Sequence, residues 1–489
     1  MTCDSVRSSR RSFLQKIAAT SIALPLLPGL DSALNELPAA EAAGQIQVAN
    51  PSFSRAERDR RWAVIRGIMV KPQWSLDAIL APASGDTAYP RYLTQIGGRG
   101  GSADVVFPRD DSKPVHAIVG TARNRTFWEK RLDAWRSDGK LILSQGEGSK
   151  SVAEQIKNLG LNRSGTRIGV AKLSGSRFDP EGLVATTFLE HLKAAIPGLQ
   201  FPPIEKWGAD SGPIDEAAMI KSAEEHDVIR RTVAAGEKAI DVIRRAARPP
   251  SRHQGDIWLP TFVTMFGETG EDPTRLSIAL DAEANATLGA PTDDPLKEGQ
   301  IISEEIDATV QGYRAQVNHS IFVGGTKSPG YDYYRAAMEI AIKLFYECIV
   351  FIVPGKTTCG ELVDYYAKLT EKLGAEDRSG VVLHSSGIAN LSRPRLGPAN
   401  SRGDSDIILS PGMTFNLKPA LRLQQSTVQD VRKENRVVQI GEHVLVTTSG
   451  VVRLGKRELK PLTTESGTGA ECGPTAALSR RISLPAYGH

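Results

Sequence analysis

The feature that most constrains this chain is a stretch in its second half, residues 299–324, in which two runs of β-forming residues flank a turn at Gly312-Tyr313. Two such runs around a short glycine-containing turn predict a β-hairpin. Glu305 and Gln316 lie on opposite arms of this hairpin, eleven residues apart. The chemistry that these two positions support decides what the chain can do.

The composition sets broad limits on the class of protein. At 489 residues the chain is long enough for two domains, each with its own apolar core. Hydrophobic residues make up 40% and charged residues 24% of the sequence, as in ordinary soluble proteins. Lysine and arginine exceed aspartate and glutamate by 60 − 56 = 4 charges, and the excess is spread along the chain. The sequence therefore has no basic stripe of the kind that binds nucleic acid.

The first 42 residues have the pattern of an export signal. Arg10-Arg11 is followed by Phe13 and Leu14, then by a short apolar run over 17–27 and a small-residue site near Ala40. A charged head, a short apolar core and a small-residue exit are typical of a signal peptide, and the paired arginines indicate the twin-arginine (Tat) route. We therefore expect a periplasmic or secreted bacterial protein that the Tat export machinery carries in folded form.

Residues 54–205 alternate helical and strand-like runs, which predicts an α/β domain around a mixed sheet. Helices are expected over 55–69 and 181–196. Short apolar strands are expected at 78–80, 105–107, 116–119, 141–143 and 167–170.

A linker at Pro202-Pro203 and Gly212-Pro213 leads to a second domain, predicted over 215–465. Asp215 is expected to cap a long helix with one buried apolar stripe. Further helices are predicted at 333–353 and from Thr358, where Glu361 completes a capping box. Strands are predicted at 413–417 and 437–447, and residues 470–489 form a tail.

Several short motifs, in order along the chain, resemble those of the creatinase/aminopeptidase P family, the pita-bread hydrolases. They are Tyr92-Leu93-Thr94, the segment 220–225, His384-Ser385-Ser386-Gly387-Ile388, the segment 409–419 and the segment 439–447. The resemblance implies an α+β protein in which a pita-bread C-terminal domain follows a smaller α/β creatinase-type N-terminal domain. It also implies a homodimer.

The metal ligands of that family are not kept here. The resemblance places its five ligands (Asp, Asp, His, Glu and Glu) at Glu305, Gln316, Ile388, Lys418 and Gly441. Among these only Glu305 suits a hard divalent cation, because isoleucine and glycine offer no ligand atom and a lysine ammonium repels a metal. We expect no metal and no other cofactor. A shift of the alignment would bring in Glu442, Glu304 or Asp307 instead.

The replacements predict an internal ion pair, since the Lys418 ammonium can neutralise the Glu305 carboxylate where a metal would otherwise do so. Creatinase, in the same superfamily, breaks a C–N bond without metal and uses a histidine as acid and base. The resemblance therefore implies His384 and Glu305 as catalytic residues. Gln316, Lys418, Tyr313 and His319 are expected to bind the substrate.

Three functions remain open at this point. The first is metal-independent hydrolysis or lysis of a small polar molecule or short peptide. The second is binding of a peptide or small ligand without catalysis. The third is a metal-dependent Xaa-Pro aminopeptidase. Glu268, in the upstream segment 261–270 where the family places substrate groups, is interpreted as a solvated loop residue.

Overall fold

The computed structural model describes residues 53–465 apart from some short segments. These segments are 84–87, 99–100, 131–134, 136–140, 145, 175–180, 206–211, 248–252, 282–289, 386, 389–392, 398–402 and 425–435. All described residues belong to one compact unit, residues 46–470. The predicted signal (1–42) and tail (470–489) lie outside the described residues, and the division into domains at 54–205 and 215–465 stays a prediction.

The first half of the described chain is built on a five-stranded mixed sheet with the order β4-β3-β2-β1-β5. Its strands are β1 (Ala78–Ala81), β2 (Ala103–Pro108), β3 (His116–Val119), β4 (Ile142–Leu143) and β5 (Ile168–Val170). Its helices are α1 (Arg55–Met69), α2 (Ala88–Thr94), α3 (Ala122–Glu129), α4 (Gly148–Asn158) and α5 (Thr186–Ala195). β1 pairs antiparallel with β2 and parallel with β5, so the mixed sheet expected from the sequence is confirmed.

The second half is built on a twelve-stranded sheet, whose main path runs β12-β11-β13-β15-β8-β7-β9-β17. Its strands are β6 (Arg275–Leu280), β7 (Ile301–Val310), β8 (Tyr313–His319), β9 (Ile321–Phe322), β10 (Ala375–Asp377), β11 (Leu383–Ser385), β12 (Arg395–Leu396), β13 (Thr414–Leu417), β14 (Ala420–Leu423), β15 (Val438–Val446), β16 (Val451–Arg453) and β17 (Leu462–Thr463). Its helices are α6 (Pro213–Met219), α7 (Ala223–Ala246), α8 (Gln254–Thr269), α9 (Tyr331–Phe351) and α10 (Cys359–Lys372).

The predicted hairpin is confirmed as β7 and β8, joined by a turn in which Gln311 and Gly312 both have positive φ. A glycine there is favourable because this backbone region strains residues that carry a Cβ. The capping box of Thr358 with Glu361 is also present and begins α10. Local signals of this kind depend on neighbouring residues only, which is why the sequence showed them.

Two local predictions were wrong. Asp215 does not cap the long helix: it lies inside the short helix α6. The long helix α7 begins instead at a capping box made by Ser222 and Glu225. The segment around Glu268 is not a loop but the end of α8, where Glu268 binds Lys238 at 2.6 Å. Pro260 inside α8 hid this helix, because proline usually interrupts helical hydrogen bonding.

Helices cover one face of the large sheet. Gly236 of α7 lies so close to β8 that a Cβ there would come within 2.6 Å of Val317 Cγ2. On the other half of the sheet, Phe415 and Val444 join the same apolar cluster as Phe345 of α9. Because side chains alternate along a strand, every second residue of these strands faces the helices and the others face away. We call the first the helix face and the second the site face.

A buried arginine joins the two halves. The Arg61 guanidinium, on α1, donates to Glu57 Oε1 at 2.6 Å and to the Tyr92 carbonyl at 3.3 Å, and it lies 3.8 Å from Glu225 of α7. Its centre lies 4.2–5.7 Å from four aromatic rings: Phe53, Tyr92, Trp135 and Tyr313. Such cation–π contacts replace part of the hydration that a buried guanidinium loses.

In the part of the chain that the structure describes, no helix has the length and apolar character needed to span a bilayer.

Replacing Arg61 by methionine should destabilise the protein, because Glu57 and Glu225 would stay buried with less positive charge beside them. We expect a loss of about 3 kcal/mol in the free energy of unfolding, seen as a lower urea midpoint. Arg230→Met is the matched control: this arginine is half exposed and, among the described residues, pairs with exposed Asp227, so its loss should cost below about 1 kcal/mol. Equal effects of the two variants would contradict a structural role for Arg61.

Candidate functional site

The hairpin sorts its polar and apolar residues between the two faces of the sheet. Ile306 and Val317 are paired across the hairpin and lie in the core on the helix face. Asp307 and Gln316 are paired in the next position, so both point to the site face. Glu305, two residues before Asp307, shares that face. These three buried polar side chains form the centre of the candidate site.

A row of polar residues crosses the sheet at this level. Arg275 of β6 pairs with Asp307, and Asp307 pairs with Gln316. On the other half, Arg395, His384, Asn416 and His443 occupy successive paired positions on β12, β11, β13 and β15. The His443 Nδ1–H group donates to the Gln316 carbonyl at 2.8 Å and joins the two halves. Six residues, one from each of six strands, thus form a row with Gln316 across the sheet.

The structure brings His384 next to Gln316, and both residues were predicted to belong to one site. Its Nε2–H group donates to Gln316 Oε1 at 2.8 Å, and the Asn416 amide donates to the same oxygen at 3.1 Å. Its Nδ1 lies 3.3 Å from the Ser385 carbonyl. Burial, together with the positive charges of Lys418 and Arg314, holds the pKa of His384 well below 6.5. The ring is therefore neutral at neutral pH.

The predicted ion pair of Lys418 with Glu305 is confirmed. The Lys418 ammonium donates to Glu305 Oε1, and the Arg275 guanidinium binds Glu305 Oε2. Burial alone would raise the pKa of Glu305, but the charges of Lys418 and Arg275 outweigh it and lower the pKa below 4.5. The carboxylate side chain is 6% exposed, whereas that of Arg275 is 45% exposed. The cluster therefore reaches solvent through Arg275.

Asp307 provides a second buried carboxylate beside Glu305. Its Oδ2 lies 3.0 Å from an Arg314 nitrogen, and its side chain is fully buried. Burial raises the pKa of Asp307 above 3.8 despite the Arg314 charge. The sequence analysis considered Asp307 only as an alternative ligand if the alignment were shifted. In the structure it lies opposite Gln316 and belongs to the site with the alignment unchanged.

Tyr313 and His319 do not join this group, although they were predicted to bind substrate. Both are an odd number of residues from Gln316, so strand alternation turns them to the helix face. The Tyr313 hydroxyl donates to Glu225 Oε1 at 2.6 Å within the Arg61 cluster. His319 receives a hydrogen bond from Arg457 at 3.2 Å, and burial lowers its pKa to about 3. The structure thus gives both residues partners away from His384.

The alternative carboxylates at neighbouring positions do not complete a metal site. Glu304 and Glu442 lie on the helix face, where burial raises their pKa values to about 8 and about 7. The Glu442 carboxylate is bound by Arg457. A side chain at position 441 would collide with Asn318 Oδ1, which fills the space that a ligand there would need.

The residues that are present do not fit a dinuclear metal centre. Among the described residues, no group of three or more His, Cys, Asp or Glu is arranged to hold a metal ion. Glu305 already has its negative charge balanced by Lys418 and Arg275, and Asp307 faces Arg314. A divalent cation at this place would be repelled by three cationic side chains.

Sequence reasoning missed the residues that complete the site. Arg275, Asn416 and His443 contact the predicted residues only because strands distant in sequence are paired. For Arg314 and Asp307 a sequence signal was available. Arg314 lies two residues from Gln316 and Asp307 lies two residues from Glu305, so strand alternation places each on the same face of the hairpin as the predicted residue. No sequence signal gives the register of β6 or β15.

Comparison with known proteins supports the fold. The sequence model of metallopeptidase family M24 matches residues 227–448. A methionine aminopeptidase of Chlamydia pneumoniae is 26% identical over 156 residues, 32% of this chain and 50% of that protein. Methionine aminopeptidase 1 of Saccharomyces cerevisiae is 27% identical over 190 residues, 35% of this chain and 45% of that protein. This chain thus spans about half the length of the curated relatives it matches.

Solved structures match over most of the chain. A dipeptidase from Pyrococcus horikoshii OT3 has a TM-score of 0.62 at 16% identity and covers 82% of this chain and 99% of its own. An Xaa-Pro dipeptidase from Bacillus anthracis has a TM-score of 0.62 at 16% identity, and the match covers 83% of this chain and 99% of the dipeptidase. The N-terminal domain of the FACT complex subunit SPT16 from chickpea has a TM-score of 0.59 at 15% identity, and the match covers 82% of this chain and 96% of that domain. The expected pita-bread fold with a preceding N-terminal domain is confirmed.

The lowered pKa of Glu305 predicts how its ion pairs respond to acid. Because the folded-state pKa lies below 4.5, the pairs stabilise the protein above about pH 4.5, and this contribution is lost as pH falls through the folded-state pKa. Glu305→Gln should therefore cost about 3 kcal/mol at pH 7, and its deficit should shrink below about pH 4.5. Thermal unfolding followed by circular dichroism from pH 7 to pH 3.5 measures this.

Glu268→Gln is the matched control for that series, since Glu268 pairs with Lys238 at the surface and is 39% exposed. The thermal unfolding midpoint of Glu268→Gln should stay close to that of the unmodified protein at every pH. A Glu305→Gln deficit that grows as pH falls would contradict the assigned ion pairs.

Proposed function

We propose that this chain, which matches the sequence model of metallopeptidase family M24 over residues 227–448, is a hydrolase that breaks a C–N bond without metal. The two sequence relatives and two of the three solved structures reported above are peptidases by name, and peptidases are hydrolases. The proposed substrate is a small polar molecule or a short peptide. One observation carries the metal-free part: Lys418 and Arg275 hold the carboxylate that would otherwise be available to a metal.

His384 is the proposed base. With its proton on Nε2, hydrogen-bonded to Gln316 Oε1, its lone pair is on Nδ1. This nitrogen can take a proton from a water molecule as the water oxygen attacks the substrate carbon. The Ser385 carbonyl, 3.3 Å from Nδ1, can then accept a hydrogen bond from the newly protonated ring. When the C–N bond breaks, the same proton passes to the leaving nitrogen and His384 is restored.

Gln316 and Lys418 have supporting roles in this proposal. Gln316 fixes the His384 tautomer, because its Oε1 accepts from Nε2 while the Asn416 amide holds that oxygen in place. Lys418 has three N–H donors and uses one on Glu305, so the others can stabilise negative charge that develops on a substrate oxygen. Glu305 keeps this ammonium charged and in position.

A second candidate is a protein that binds a ligand on the site face without reacting. The observation that favours it is that Glu305 and Asp307 each already pair with cations inside the site. One structural neighbour, the chickpea domain, is named as part of a complex subunit and not as a peptidase. Tight binding without consumption of the bound compound would favour this second function.

A metal-dependent Xaa-Pro aminopeptidase is the third candidate and fits the donor set least well. About two equivalents of Mn, Co, Zn or Fe per purified chain, measured by mass spectrometry, would favour it over the metal-free proposal. Peptide hydrolysis that chelators abolish would do the same.

Export by the twin-arginine route and assembly into a homodimer are also proposed. Arg10 and Arg11 support the export proposal, which places the mature protein in the periplasm or outside the cell. Replacing both arginines by lysine should retain the protein in the cytoplasm on cell fractionation. Light scattering of the purified chain tests the dimer, and a monomer mass would contradict it.

Loss of His384 should abolish turnover and leave the fold intact. The chain should be screened against Xaa-Pro dipeptides, methionyl peptides and creatine in the presence of a chelator. On a compound that is consumed, His384→Ala should lower kcat/KM about 100-fold or more. Because the pKa of His384 lies well below 6.5, kcat/KM should not fall between pH 8 and pH 6.5 through protonation of this group.

His191→Ala is the control, since the His191 side chain is 57% exposed and lies far along the chain from the site strands. It should leave kcat/KM unchanged. Unchanged turnover in His384→Ala, with a native circular dichroism spectrum, would overturn the assignment of the base.

A further inference from the structure

The Glu305 ion cluster shows how the site would hold a ligand. Lys418 binds one oxygen of the Glu305 carboxylate and Arg275 binds the other. The ammonium and the guanidinium are therefore spaced to match the two oxygens of one carboxylate. A ligand carboxylate is planar, of the same size and of the same charge, so it can be bound by the same two groups.

Among the described residues, both cations have hydrogen-bond donors that the contacts with Glu305 do not use. Lys418 has three N–H donors and Arg275 has five, and each is bound to Glu305 through one nitrogen. The Lys418 side chain is 10% exposed, but that of Arg275 is 45% exposed. A second carboxylate that enters beside Arg275 could accept hydrogen bonds from the remaining donors without any ion pair being broken.

The charges around the site favour an anion. Within the part of the chain that the structure describes, four cationic side chains and two carboxylates lie around His384 and its neighbours. The cations are Arg275, Arg314, Arg395 and Lys418, and the carboxylates are Glu305 and Asp307. Nearby Arg393 and Asp404 pair with each other and cancel. The remaining imbalance is positive, in a place where low polarity strengthens each charge.

We propose that Lys418 and Arg275 form a receptor for a carboxylate group of the substrate, with Glu305 as a built-in counter-ion that keeps both cations in place. This inference deepens the proposed function, on which it rests for the location of the site: the substrate is an organic anion whose carboxylate binds at Arg275 and Lys418. The reacting C–N bond then lies toward His384.

The test uses calorimetric titration of the full chain with N-acetylglycine and its neutral counterpart N-acetylglycinamide in chloride-free buffer. N-acetylglycine should bind about tenfold or more tightly than the amide. Lys418→Met should weaken N-acetylglycine binding about tenfold, whereas Lys418→Arg should largely retain it. Glu305→Gln should strengthen binding about fivefold, because it removes a negative charge that repels the ligand carboxylate.

Lys238→Met, at a surface pair with Glu268, is the matched control and should leave the affinity unchanged. All variants are compared well below their unfolding midpoints, so that a loss of stability cannot imitate a loss of affinity. Opposite effects of Glu305→Gln and Lys418→Met cannot come from general damage to the fold.

Four results would overturn the inference. They are equal binding of acid and amide, weaker binding by Glu305→Gln, no binding of N-acetylglycine at all, or binding of inorganic phosphate about tenfold tighter than of the carboxylate. The proposed function fails separately. Carboxylate binding without any hydrolysis would support the receptor and count against the hydrolase, whereas His384-dependent hydrolysis that does not discriminate acid from amide would do the reverse.

Discussion

A carboxylate as deeply buried as that of Glu305 needs positive charge beside it, and the rest of the site depends on that need. Transfer of an unpaired carboxylate from water into a protein interior costs several kcal/mol even after the surroundings relax. The resemblance implies that metal ions supply the positive charge in metal-dependent relatives. In this chain the ammonium of Lys418 and the guanidinium of Arg275 supply it. The charge of Glu305 is thus balanced within the chain, and the same two cations lie where a metal-bound water would otherwise be activated.

The sheet decides which residues can take part. With a period of two along each strand, Glu305, Asp307 and Gln316 share the site face, while Ile306 and Val317 fill the core beneath α7. The same rule places Glu304 and Glu442 behind the sheet, where arginines hold or neighbour them. A carboxylate one residue away in sequence is therefore no substitute for a missing ligand, because it lies on the opposite face of the strand.

Part of this site could be predicted from the sequence and part could not. The hairpin, the pairing of Lys418 with Glu305 and the meeting of His384 with Gln316 followed from local pattern and from the order of short motifs. Tyr313 and His319 were misplaced because their distance along the chain was considered without the alternation of the strand. Arg275 and His443 could not have been found, since their contacts depend on the register of strands far apart in sequence. Register of this kind is set by the packing of the whole sheet.

The electrostatics of the site also connect the two proposals. His384 is neutral because burial and the nearby positive charges of Lys418 and Arg314 disfavour its protonated form. A ligand carboxylate at Lys418 would offset part of that positive charge, and the pKa of His384 would then rise toward neutrality. A base with a pKa nearer the working pH transfers protons more effectively, both from water and to a leaving nitrogen. An anionic substrate would thus improve the group that acts on it, whereas a neutral compound in the same place would leave His384 a weak base. On this argument, the charge of the ligand is what separates a reacting site from one that only binds.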